Sequence, residues 1–171
     1  MTMTVLLLFF INFVFSATHP LTGSSIVNQA GNSMAFSQMG FKLNTVPLSW
    51  GYCKSLSFNQ NSIELGIGNK TLLTFRMEKV SVKTQLERYV RQYLRDYNQY
   101  GFEVSSLHSN TKGQVPSVVV DLDQKNKATK SRQVFFFNQD KMVIATCVDD
   151  LVNFPATLAL CNQVLSSFNW K

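Results

Sequence analysis

The chain has 171 residues, an ordinary length for one domain, and 45% of them are hydrophobic and 12% aromatic. With fourteen Phe and only 15% charged residues it has the material for a core, which excludes a disordered chain. The formal net charge of +6 suits anionic partners or surfaces without selecting one.

Val5 to Phe15 is apolar except for Asn12. That run is shorter than the ~20 residues of an ordinary membrane span, and it fits the apolar region of a secretory signal peptide. Val14 and Ser16 suit the −3 and −1 positions of a cleavage site, although MTMT supplies no Lys or Arg. An uncleaved anchor is the competing reading. Residues 1–17 are therefore expected to be a signal peptide, 18–35 a flexible leader rich in Ser, Asn and Gly, and 36–171 the folded domain. Export leads to the periplasm or outer envelope, where disulfides persist.

Within the domain, Phe41 to Leu43 reads as a short strand, and Pro47 turns the chain before Trp50. Tyr52 to Phe58, Ser62 to Leu65 and Lys70 to Val80 follow as strands. Leu86, Tyr89, Val90, Tyr93, Leu94 and Tyr97 then recur at three and four, the period of an amphipathic helix. Ser81 or Thr84 is expected to cap this helix, with Glu87 completing a capping box from Thr84 and Gly101 stopping it. Phe102 to Leu107 is the next strand. Val115 to Leu122 and Thr129 to Phe137 form a hairpin with Gln124 to Ala128 at its tip. Asn138, Gln139 and Asp140 turn the chain again into Met142 to Val148.

These last strands are apolar on both faces, Val134 and Phe136 against Phe135 and Phe137, so the sheet needs cover on both sides. Asn153 is expected to cap a final helix with Pro155 in its first turn. Phe154, Leu158, Cys161, Leu165 and Phe168 would form its apolar face. Strands, helix, strands, helix in this order predict an α/β (α+β) domain: a three-layer α/β/α sandwich around a largely antiparallel sheet.

The carrying features are Pro47 and Trp50, the helix around Leu86 to Tyr97, Arg132-Gln133-Val134-Phe135, and the tail Ser167-Phe168-Asn169-Trp170. On these residues the chain resembles the PsbP-like superfamily, which includes DcrB-like bacterial envelope proteins and Ran-binding nuclear import factors. The resemblance covers Phe36 to Lys171 and implies the same α/β/α sandwich. It implies little about function, because the superfamily spans photosystem subunits, secretion chaperones and envelope accessory proteins. An export signal would exclude the nuclear and cytosolic roles.

Signals for chemistry are weak, and neither a cofactor nor a metal is expected. His19 and His108 stand far apart in the sequence. Gly66-Ile-Gly68-Asn69-Lys70-Thr71 lacks the spacing of a phosphate loop and reads as a β-turn. Asp121 and Asp123 begin like a calcium loop, but Lys125 and Asn126 stand where a ligand and a Gly are needed. Cys147 and Cys161 are 161 − 147 = 14 positions apart, on a strand and on the helix after it, a pair that can reach disulfide range; given export a disulfide is expected, and two buried thiols are the competing reading. Cys53 is left over, buried or free to pair between chains.

Two basic patches remain as candidate partner-binding surfaces: Lys125, Lys127, Lys130 and Arg132 around one hairpin tip, and Arg88, Arg91 and Arg95 on one helix face. Ordinary solvated charge is the competing reading. The expected function is a non-enzymatic periplasmic interaction module, an accessory subunit or assembly factor of an envelope complex, with a secretion system among the candidates. The expected partners are envelope proteins or an anionic membrane surface, and not nucleic acid. A carrier that binds a peptide or small hydrophobic ligand between sheet and helix is the alternative, and a hydrolase is a more distant one.

Overall fold

The computed structural model describes residues 31–53, 61–110 and 115–171. The expected signal peptide and most of the expected leader lie outside these residues, as does most of the expected strand Tyr52 to Phe58. In chain order the described elements are β1 (Gly31–Phe36), β2 (Phe41–Pro47), β3 (Gly51–Tyr52), β4 (Ser62–Ile67), β5 (Lys70–Lys79), α1 (Leu86–Leu94), β6 (Phe102–Asn110), β7 (Ser117–Gln124), β8 (Thr129–Asn138), β9 (Lys141–Asp150), α2 (Phe154–Ser166) and β10 (Phe168–Trp170). Seven strands form one sheet in the order β3-β4-β5-β9-β8-β7-β6, and a second sheet runs β1-β2-β10. Every pairing is antiparallel. The fold class is thus the expected α+β sandwich.

Alternation along β8 and β9 sends side chains into two cores. Val134, Phe136, Val143, Ala145 and Cys147 face α2 and the three-stranded sheet, with Phe41, Phe75, Phe154 and Phe168. Phe135, Met142 and Ile144 face α1, with Leu86, Val90 and Leu94. One layer of the sandwich is therefore mixed. The small sheet and α2 share the first face, because one helix of thirteen residues is too narrow to cover it.

Several local expectations need correction. The leader does not stay irregular to Ala35, since Gly31–Phe36 pairs with β2. Neither helix has a side-chain cap hydrogen bond. Gln85, not Thr84, precedes α1, and Glu87 is engaged by Arg91 instead of reaching back. Asn153 occupies the cap position of α2, but its side chain donates to Asp150 Oδ2 at 2.7 Å. Helix α1 stops at Leu94, and Tyr97–Tyr100 is a separate 3-10 turn closed by Gly101 at φ 80°. Asp96 and Asn98 are poor helix formers that favour such turns. Helix α2 stops at Ser166, so Phe168 reaches the core from β10 and not from the helix. There it stacks on Phe136 with ring centroids 4.0 Å apart.

The hairpins stand where expected. Asn138 pairs with Lys141 across Gln139 and Asp140, with Gln139 at φ 55°. The tip between β7 and β8 is a 3-10 turn, Lys125–Lys127. Gly66 to Thr71 is the β4–β5 turn and not a phosphate loop.

Candidate functional site

Cys147 and Cys161 form the expected disulfide, with Cα atoms 6.2 Å apart. Both are fully buried, so the bridge ties β9 to α2 through the core. Cys53 is unbridged and half-buried. Beside the disulfide, Asp149 accepts from Lys70 Nζ at 2.6 Å, from the Thr157 hydroxyl at 2.6 Å and from the Asp150 N–H at 2.8 Å. Burial pushes the Asp149 carboxyl up, but these donors outweigh it and hold the group below the usual carboxylate range. This latch joins the β4–β5 turn, β9 and α2. Sequence reasoning missed it because its members are scattered along the chain.

The first basic patch is largely paired. The β7–β8 register sets Asp121 opposite Arg132 and Asp123 opposite Lys130. Arg132 donates to both oxygens of Asp121 at 2.7 and 2.8 Å, and to Asn162 of α2 at 3.2 Å. The Arg132 hydrogen bond, against burial and aided by Ser106, holds Asp121 below the usual range. The two aspartates that began like a calcium loop are therefore bound to cations. Lys130 lies 3.2 Å from Asp123, and Lys125 lies 2.6 Å from Glu103. Lys127 is the tip cation without an ion pair among the described residues. Arg132 is not a tip residue, since it is 23% exposed and directed toward α2.

The second patch lies across the sheet from Lys130 and Arg132. Arg91 pairs with Glu87 at 2.8 Å and Arg95 with Asp96 at 3.1 Å. Arg88 forms no ion pair among the described residues. Lys130 and Arg132 are thus separated from the second patch, whereas Lys125 at the tip lines the groove at the end of α1.

The sequence also concealed a polar seam under α1. Tyr89, Tyr93 and Tyr97 stand at i, i+4 and i+8, a spacing that signals one face but not its partners. Arg76 donates to the Tyr93 hydroxyl at 2.6 Å and pairs with Glu78 at 2.8 Å. Tyr89 donates to Glu78 at 2.6 Å. Burial, then the Glu78 carboxylate, pushes the Tyr89 hydroxyl well above its ordinary range, so it stays protonated.

Two grooves flank the sheet. One of about 510 Å³ lies between α2 and β7–β8, floored by Val119, Val134 and Phe136 and rimmed by Arg132 and Asn162. The other, of about 570 Å³, lies between the end of α1 and the start of β6, lined by Leu94, Tyr97, Phe102 and Val104. Among the described residues no group of three His, Cys, Asp or Glu converges as a metal site. No described helix is long and apolar enough to cross a membrane.

No protein-family model and no curated protein matches the sequence. Solved structures do. The solution structure of cyanobacterial PsbP (CyanoP) from Synechocystis is similar with a TM-score of 0.62 at 12% identity, over 89% of this chain and 99% of that one. A crystal structure from Bacteroides thetaiotaomicron gives 0.57 at 10% identity, over 82% of this chain and 48% of that one. PA94 from Pseudomonas aeruginosa, a protein of unknown function, gives 0.50 at 12% identity, over 74% of this chain and 88% of that one. The chain has a PsbP-like fold.

Proposed function

We propose that this protein is a non-enzymatic accessory module of an extracytoplasmic complex. The observation that carries the reading is the buried Cys147–Cys161 bridge inside a PsbP-like fold. A disulfide sealed in a core suits an oxidising compartment, and residues 1–17 read as the export signal that would deliver the chain there. A bacterial periplasm and an envelope machine, such as a secretion system, are the specific setting proposed.

Recruitment is assigned to the hairpin tip at Lys125, Lys127 and Lys130, with Lys127 as its leading cation and an acidic protein surface as its partner. Tip charges of this kind govern association rate and salt dependence more than fold stability. The experiment is co-purification from native membranes. Lys127→Glu alone, and the triple change Lys125→Glu, Lys127→Glu, Lys130→Glu, are expected to weaken recruitment without unfolding the domain. Added salt is expected to weaken the wild type in the same way. Unchanged recruitment rejects the tip and moves the test to Arg88, Arg91 and Arg95. Loss of binding to anionic vesicles instead would assign the tip to a membrane surface.

The groove of about 510 Å³ between α2 and the sheet supports the second reading, a carrier of a small hydrophobic ligand or peptide. Its Arg132 is already satisfied by Asp121 and Asn162, so the ligand would be held by the apolar floor. Native mass spectrometry of protein extracted without denaturation checks this; the apo mass alone would reject it.

A further inference from the structure

The edges of the seven-stranded sheet are unequal. One is β3, two residues long; the other is β6, nine residues long. Among the described residues strand β6 pairs with β7 alone, and alternate N–H and C=O groups along its outer side have no strand partner there. Natural edges are guarded by Lys, Pro, bulges or shortness. Strand β6 reads FEVSSLHSN, with no Lys and no Pro. Its guard is one irregularity between Val104 and Ser106, beyond which Ser106 to Asn110 pairs regularly with β7.

Beside this edge stands α1. The Ser109 hydroxyl donates to Glu87 at 3.1 Å near the start of the helix. Leu94, at its end, shares the groove of about 570 Å³ with Phe102 and Val104. The helix therefore runs antiparallel to β6, touching it at Ser109 and leaving the groove, here called the trough, beside its first residues, Phe102 to Val104. Val104 is 42% exposed there. The rim is self-neutralised, Glu87 by Arg91 and Glu103 by Lys125.

An open backbone ladder, Ser106 to Asn110, that continues from a groove with apolar Leu94, Phe102 and Val104 among polar Asn98, Glu103, Lys125 and Asn126, meets the physical requirement for strand addition. Main-chain bonds supply affinity, and a pocket for alternate side chains supplies selectivity. We infer that β6 and the trough bind an extended, weakly charged segment of a partner polypeptide, with one of its apolar side chains seated against Leu94, Phe102 and Val104. A second copy is the poorer occupant, because its Phe102 and Leu107 already pack beneath its own α1. This deepens the interaction-module reading by naming the partner's chemistry. It does not involve Lys127, so Lys127→Glu and this test fail separately, whereas the triple change alters the rim of the groove through Lys125.

The test uses the full chain as bait for a phage-displayed library of random dodecapeptides. Selected peptides are expected to alternate apolar and polar residues and to carry few charges. In amide hydrogen exchange, a selected synthetic peptide at saturation should slow alternate amides of Ser106 to Asn110 by tenfold or more. Val104→Lys puts a charge in the mouth of the trough at an exposed position, and is expected to weaken that peptide at least tenfold with thermal unfolding unchanged. Recovery of no binder, protection only beside α2, or affinity unmoved by Val104→Lys would each overturn the inference. Concentration-dependent dimerisation that protects β6 without peptide would overturn it in favour of a second copy.

Discussion

The two faces of the large sheet are held by different chemistry. On the α2 face the contacts are mainly apolar and covalent: Phe41, Phe75, Phe136 and Phe168 pack together, the disulfide fixes α2 to β9, and one polar latch at Asp149 adds to them. On the α1 face three buried residues, Leu86, Val90 and Leu94, are flanked by half-buried tyrosines whose hydroxyls reach Arg76, Glu78 and Gln133. Aromatic burial is worth several kcal/mol per ring, whereas a hydrogen bond between partly exposed groups is worth about 1. One sheet thus carries a layer clamped mainly by aromatic packing and a disulfide, and another held largely by hydrogen bonds from tyrosines. The difference teaches where local opening should cost least: at α1, which buries fewer apolar side chains than α2.

The largest effect should come from breaking the clamp. Phe168→Ala removes a ring stacked on Phe136 and Phe41 and is expected to cost about 3–5 kcal/mol in denaturant unfolding. Next is Cys147→Ala with Cys161→Ala. The bridge spans a sequence separation of 14, and closing such a loop is worth ~3 kcal/mol. Denaturant unfolding of the double variant measures it, and thiol counting on the denatured, unreduced wild type should find only Cys53 free.

Third is the polar latch of the same face. Asp149→Ala strands the Thr157 hydroxyl and the Asp150 N–H, an expected loss of about 2 kcal/mol. Its pH dependence has a definite sign. The folded-state pKa of Asp149 is depressed, so its contribution is complete above the unfolded value near ~4 and is lost as pH falls through the folded value. Thermal unfolding should therefore weaken below about pH 4 in the wild type, and less steeply in Asp149→Asn.

The smallest change sharpens the contrast. Tyr93→Phe removes the acceptor of Arg76 and should cost about 0.5–1 kcal/mol. Its signature is local: amides of α1 should exchange faster while those of α2 do not change. Equal acceleration in both helices would show that the two faces open together, against the contrast drawn here.

Much of this was legible from pattern. Alternating apolar residues in Val134 to Phe137 announced a sheet covered on both sides, and the structure distributes those residues as the alternation required. The spacing of Leu86, Val90 and Leu94 located α1, and a strand followed by a helix placed Cys147 and Cys161 within bonding range. These are local periodicities, and local sequence contains them.

What the tertiary structure decided was pairing between distant residues. Arg132 looked like a member of a basic tip, but strand register set Asp121 opposite it and α2 brought up Asn162. Lys70 looked like part of a turn, but packing delivered Asp149 across 79 positions. Glu87 looked like half of a capping box, but Arg91 and Ser109 engage it. Charge in a sequence is a count, whereas charge on a surface is what remains after folding has paired it. Periodicity therefore determined that the large sheet is covered on both faces, but not the small sheet β1-β2-β10 that shares one of them with α2. Which cations and which sheet edge lack a partner among the described residues followed only from register and topology, because both depend on contacts between segments that the chain holds far apart.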